Sequence, residues 1–174
     1  PTAPLQARLS YYSAAPSGNE VPVAIRRKLW RLEQGEEAFK FTAVAVEPGE
    51  ALASDRLYLD EITLTVEGEQ SLRYGLVEVP LPPGAEIERT TWGVSVAGLD
   101  GEEAQALEKA RFEPGQLSYG VPVDSLSGSI RFRHLLRFSQ KGQFQLPPAR
   151  YQRMYAPEQQ AFEAPVALGA IEVR

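Results

Sequence analysis

An all-β fold, a two-sheet antiparallel β-sandwich with at most one or two short helical turns, is predicted by three features of this sequence. Apolar and polar residues alternate with period two in several runs, as they do along a strand with one wet face. Turn signals separate these runs at short intervals, and fourteen prolines and fourteen glycines are spread along the chain. No segment is long and periodic enough to form a helix that crosses over between parallel strands.

The elements follow in chain order. "LQARLSYY" reads as one strand followed by a linker through "PSGN", so residues 1–19 are expected to be a remnant of a preceding region and residues 20–174 the sandwich. "RRKLWRLEQ", Arg26 to Gln34, is locally basic and carries Trp30, and reads as a strand whose long cationic side chains lie along the sheet with their heads in water in preference to an anion-binding face. "FKFTAVAV" from Phe39 and "GLVEVPL" from Gly75 are two further strands. In "DEITLTVE", Ile62, Leu64 and Val66 point to one side and Glu61, Thr63 and Thr65 to the wet side.

"GEEAQALEKARFEP" is ambiguous. Its helix formers precede Pro114 with only a thin apolar stripe, and residues 102–111 stay open between helix and strand. "IRFRHLLRFS" turns Ile130, Phe132, His134, Leu136 and Phe138 inward and Arg131, Arg133 and Arg137 outward, where glutamates on neighbouring strands are in reach. In "GQFQLPPARYQRMYAPE", Phe144 and Leu146 continue an alternation that Pro147 and Pro148 end. "ARYQRMY" is expected to make one helical turn, with Met154 and a tyrosine ring capping the sandwich edge, before "VALGAIEVR" returns as the last strand. The expected core is Ile62, Leu64, Val66, Val77, Val79, Ile130, Phe132 and Phe138.

Composition narrows the function classes. The net charge of −5 offers no basic stripe for phosphates, so no nucleic-acid partner is expected. Cysteine is absent, which removes disulfides, thiolate nucleophiles and internal thioesters from these residues. No apolar stretch is long enough for a membrane or signal helix, so direct membrane insertion by these residues is not expected. A start at Pro1 without an initiator methionine is expected of a processed product or a piece of a larger chain.

None of the familiar catalytic motifs is present in the sequence. His134 is the single histidine, and its place among inward apolar residues favours a core imidazole over a catalytic one. Asp100, Glu102 and Glu103 read as a solvated turn in preference to a calcium loop. The expectation is therefore a non-enzyme with no catalytic residue, cofactor or metal. Arg150, Tyr151, Arg153 and Tyr155 are the first choice for an interdomain or partner contact.

"YGLVEVPLPPGAEIE", "TTWGVSV" and "IRFRHLLRFSQKGQFQLPPARYQRMYAPE", read in this order, resemble the C-terminal macroglobulin-like domain of bacterial alpha-2-macroglobulins, the counterpart of the animal receptor-binding domain. "LQARLSYY" is similar to the final strand of the CUB-type region that precedes it. The resemblance implies a macroglobulin-type sandwich within a large periplasmic protease trap, in which a cleaved bait region makes the molecule collapse around the attacker. Implied partners are other domains of the parent, proteases met by the full-length protein, and other periplasmic proteins. The parent is implied to be periplasmic, with anchoring to the inner membrane as a further option.

Some members capture the protease through a Cys–Gln thioester. "RLEQG" at Arg31 has an arginine where that motif has its cysteine, so it is a coincidence of sequence. The ending "RYQRMYAPE" is similar to the subgroup that lacks a thioester and works in multi-protein complexes. The alternative function is a free-standing binding module for carbohydrate or cell surfaces, with Trp30, Trp92 and the tyrosines as an aromatic platform.

Overall fold

Alternating side chains become sheet faces when strands pair, and here they generate three sheets. The computed structural model describes residues 21–99, 104–107, 112–115, 117–164 and 170–174. Among these residues there are strands and no helix. In chain order they are β1 (Val23–Gln34), β2 (Lys40–Ala45), β3 (Ala51–Leu52), β4 (Leu57–Val66) and β5 (Leu72–Pro80). Then come β6 (Ala85–Ile87), β7 (Ser95–Ala97), β8 (Gln105–Ala106), β9 (Glu113–Pro114) and β10 (Ser118–Leu126). The last are β11 (Ser129–Phe138), β12 (Gly142–Gln145), β13 (Arg150–Arg153), β14 (Ala156–Phe162) and β15 (Ala170–Val173).

A seven-stranded sheet runs β6-β11-β4-β1-β2-β7-β8, and a five-stranded sheet runs β14-β13-β5-β10-β9. They pack face to face as the predicted sandwich. A third sheet of β12, β15 and β3 adds Leu52, Ile171 and Val173 to the same core. The pairing is antiparallel except for β2 with β7 and β15 with β3. Both parallel pairs join segments far apart in sequence, which leaves room for the crossover that parallel pairing needs.

The core follows the alternation. Val23, Ile25 and Leu29 of β1 and Ile62, Leu64 and Val66 of β4 face Val77 and Val79 of β5 and Val121 and Val123 of β10. Full burial of such a side chain stabilises by about 1.5–3 kcal/mol. Of the expected core, Ile130 and Phe132 are only partly buried and pack against its margin.

The outer face of the large sheet departs from expectation at one end. Trp30, Leu32, Leu59 and Leu135 lie there beneath Val94, Val96 and Leu99, forming a second apolar cluster. Glu61, one step along from Leu59 on the expected wet face, is only 4 % exposed. Its carboxylate accepts a hydrogen bond from Arg133 Nε at 2.7 Å, which is what makes that burial tolerable.

The expected helical turn at "ARYQRMY" is instead a strand. β13 pairs with β5 on one side, Tyr151 opposite Val77, and with β14 on the other, Tyr151 opposite Ala161. An unpaired edge of β5 offers the backbone a full ladder, which outweighs local helix preference. Pro147 and Pro148 do mark the transfer of the chain, from the three-stranded to the five-stranded sheet. Of 102–111, Gln105 and Ala106 are strand, opposite Val96 and Ser95. The remnant expected at residues 1–19 and the acidic loop at Asp100 to Glu103 lie outside the described residues.

Candidate functional site

The β13–β14 hairpin carries the four residues singled out in the sequence. Arg150 is half-buried and donates from Nη2 to Glu78 Oε2 at 2.5 Å across the neighbouring strand. Tyr151 is 0 % exposed and belongs to the main core, where burial pushes its hydroxyl above the ordinary tyrosine range. That hydroxyl has no hydrogen-bond partner among the described residues. Arg153 donates from Nη1 to Gln159 Oε1 at 2.7 Å.

Past Arg153 the chain turns, and Met154 and Tyr155 form the tip. Both project outward, Met154 46 % and Tyr155 84 % exposed, so neither caps the sandwich edge as expected. The buried ring of this segment is Tyr151. Against the tip stands Tyr74, which the sequence did not mark as a site residue. Its ring meets that of Tyr155 edge to face, centroids 5.6 Å apart at 79°. The Tyr74 carbonyl accepts the Met154 N–H at 2.7 Å.

Two backbone features hold Tyr74 there. Its φ is 56°, a left-handed conformation that a bulky side chain seldom adopts. The next residue has to be glycine, because a Cβ on Gly75 would lie 2.4 Å from Cε2 of Tyr151. The buried ring of Tyr151 thus fits under the backbone that presents Tyr74. The "YG" step at the start of a strand was the sequence signal available.

A second constellation lies inside the sandwich. Arg27 falls in phase with Val23, Ile25 and Leu29, so it points inward and not into water as predicted for its strand. Its Nε donates to Asp60 Oδ1 at 2.8 Å and its Nη2 to Asp60 Oδ2 at 2.7 Å. Nη1 donates to the Pro80 carbonyl at 3.1 Å, and Tyr119 Oη donates to Asp60 Oδ2 at 3.0 Å. Burial alone disfavours the Arg27 charge, but Asp60 more than offsets it and holds the guanidinium above its ordinary value. Burial, then the Asp60 charge, push the Tyr119 hydroxyl well up.

His134 completes this cluster, its ring 4.5 Å from that of Tyr119 and 5.5 Å from that of Phe112. Burial lowers its pKa to about 4, so it is neutral at pH 7. Neither ring nitrogen has a hydrogen-bond partner among the described residues, so the ring is placed as a core side chain. Nearby Glu163 accepts the Ala149 N–H at 2.9 Å, and burial raises its carboxyl above the ordinary range. Chemically the cluster ties one sheet to the other, Arg27 of β1 and Asp60 of β4 bonding to Pro80 of β5 and Tyr119 of β10.

Other sequence readings resolve simply. Arg133 reaches Glu61 and Arg137 reaches Glu88, the glutamate pairing expected for that ladder. "RLEQ" of that stretch closes β1, where Arg31 pairs with Glu50 and Glu33. Trp30 is buried while Trp92 is exposed, so the two do not share an aromatic platform. Among the described residues no group of histidine and carboxylate side chains is placed to hold a metal ion.

Comparison with known proteins places this geometry. Residues 60–158 match the model of the bacterial alpha-2-macroglobulin MG10 domain. An alpha-2-macroglobulin of Ralstonia nicotianae is 44 % identical over 182 residues, covering 89 % of this chain and 11 % of that protein. This chain therefore spans about a tenth of that relative. Among solved structures, Salmonella alpha-2-macroglobulin reacted with methylamine matches with a TM-score of 0.66 at 21 % identity, over 94 % of this chain and 10 % of that one. Native Escherichia coli alpha-2-macroglobulin, from domain MG7 to its C-terminus, matches with a TM-score of 0.65 at 20 % identity, over 94 % of this chain and 25 % of that one. The structural likenesses establish the fold, and the sequence matches establish the kinship. The chain belongs to the bacterial alpha-2-macroglobulin family, as a macroglobulin-like domain of the MG10 type.

Proposed function

We propose that these residues form a non-catalytic domain of a periplasmic protease trap and that the β13–β14 hairpin is their contact with another domain of the parent chain. Arg150, Arg153 and Tyr155 lie on or beside that contact surface, and Tyr151 supports it from beneath. The observation that carries this reading is the tip itself, where Tyr74, Met154 and Tyr155 cluster and stay exposed. Adjacent exposed apolar side chains of this kind mark sites of contact. A chain spanning 11 % of a relative leaves ample room for a covering domain.

Trapping requires an enclosing shell, so inhibition is a property of the full-length parent. Mixed with endopeptidases at stoichiometric ratio, the parent is expected to protect large protein substrates while small peptide substrates are still cleaved. The 174-residue domain added alone is expected to protect neither. Inhibition of a broad protease panel by the domain alone would overturn the reading. Fractionation of cells expressing the tagged parent checks the compartment, with recovery in the cytoplasm as the contrary result.

A further inference from the structure

Among the described residues, the two non-glycine positions with positive φ are both exposed aromatics, Phe39 and Tyr74. Backbone strain of this kind persists only where the surroundings impose it, and it concentrates at sites of contact and switching. At Tyr74 the imposing elements are visible. Tyr151 excludes any side chain at Gly75, the Met154 N–H binds the Tyr74 carbonyl, and the Tyr74 ring lies edge-on to Tyr155. The arrangement costs backbone energy and leaves Tyr74 51 % exposed, so burial is not its purpose.

We propose that Tyr74 is a positioning residue for the interdomain contact: its ring braces Tyr155 in the orientation in which the hairpin tip seats in an apolar recess of another domain of the parent chain. Tyr155 sits at a two-residue turn, and an unbraced ring there samples several staggered rotamers. The edge-to-face neighbour selects one before the partner arrives, which lowers the ordering cost of docking. The inference rests on the interdomain reading above. It adds a residue that lies outside the closing segment carrying Arg150, Tyr151, Arg153 and Tyr155.

Nitration of the full-length parent by tetranitromethane, read by mass spectrometry on the peptide carrying Tyr155, tests both levels separately. In the domain's own geometry Tyr155 is exposed, so slow nitration in the native parent relative to the urea-unfolded parent reports a seated tip. Tyr74→Gly removes the ring and relieves the strained φ, so the fold is retained while bracing is lost. Tyr155 nitration is then expected to rise by a factor of about two to ten, the weight of one aromatic pair in a docking equilibrium. Tyr74→Phe keeps the ring and is expected to keep the protection.

Equal protection in the wild type and Tyr74→Gly would overturn the role of Tyr74 while leaving the interdomain contact intact. Nitration of wild-type Tyr155 as fast in the native as in the unfolded parent would overturn the contact itself. Protection that grows with protein concentration would assign the tip to a second copy of the chain and overturn the proposal.

Discussion

Arg27 and Asp60 meet as a two-pronged ion pair inside the sandwich, Nε to Oδ1 at 2.8 Å and Nη2 to Oδ2 at 2.7 Å, with both side chains nearly inaccessible to water. Each charge is tolerable there only because the other is present. Asp60→Leu or Arg27→Met is therefore expected to cost about 3–5 kcal/mol, since either leaves one buried charge uncompensated. The double variant Arg27→Met with Asp60→Leu is expected to lose less than the two single losses combined. Urea denaturation of the three variants checks this, and simple additivity would show that the pair is not coupled.

His134 sets a pH dependence in the same cluster. Its folded pKa, about 4, lies below the ordinary value of 6.5 because burial disfavours the cation. Above 6.5 neither state holds the proton and the contribution to stability is complete. As pH falls from 6.5 towards 4 the unfolded chain takes up a proton that the folded chain refuses, so stability declines by about 3 kcal/mol, and the loss ends once both states are protonated. Glu163 acts in the opposite sense, since its raised pKa makes the folded state less stable as pH rises above the ordinary carboxylate range. His134→Phe is expected to flatten the slope of unfolding free energy between pH 6.5 and 4; an unchanged slope would show that other groups set it.

Why some of this was legible and some not follows from particular residues. Ile62, Leu64, Val66 and the inward His134 were readable because long strands with one wet face impose a strict period of two. Arg27 obeys the same period with Val23, Ile25 and Leu29, but its charge made a surface place the default, and its partners Asp60 and Tyr119 lie far along the chain. The apolar cover over Trp30, Leu59 and Leu135 comes from Val96 of β7, a strand of three residues too short to show a period, and from Val94, Leu99 and Leu107 outside any strand. Tyr151 was hidden by the helix formers around it, and the pairing of Tyr74 with Tyr155 joins positions that no local pattern links.

Gly75 is a position where the smallest enlargement should be felt. A methyl group there meets Cε2, Oη and Cζ of Tyr151 at 2.4, 2.6 and 2.7 Å, and that ring is locked in the core. Gly75→Ala is expected to destabilise by about 1–3 kcal/mol, the usual cost of overpacking. Tyr151→Leu in the same chain vacates the space, so the double variant should fall short of the two losses combined. Thermal midpoints of the four proteins decide it, and a wild-type midpoint for Gly75→Ala would mean that the ring moves aside at no cost.

The Tyr151 hydroxyl supplies the complementary test. It is buried with no hydrogen-bond partner among the described residues, so folding strips it of water without replacing what is lost. Tyr151→Phe removes that penalty and keeps the ring, its packing on Val77 and Ala161 across the strands, and its fit beneath Gly75. The variant is expected to be more stable by about 1 kcal/mol in denaturant titration, as expected when an unsatisfied polar atom is deleted. A loss of stability would show that the hydroxyl has a partner, such as an ordered water between it and the neighbouring strand. In that case the ring is pinned at its polar end, and the tip above it is more rigid than packing alone provides.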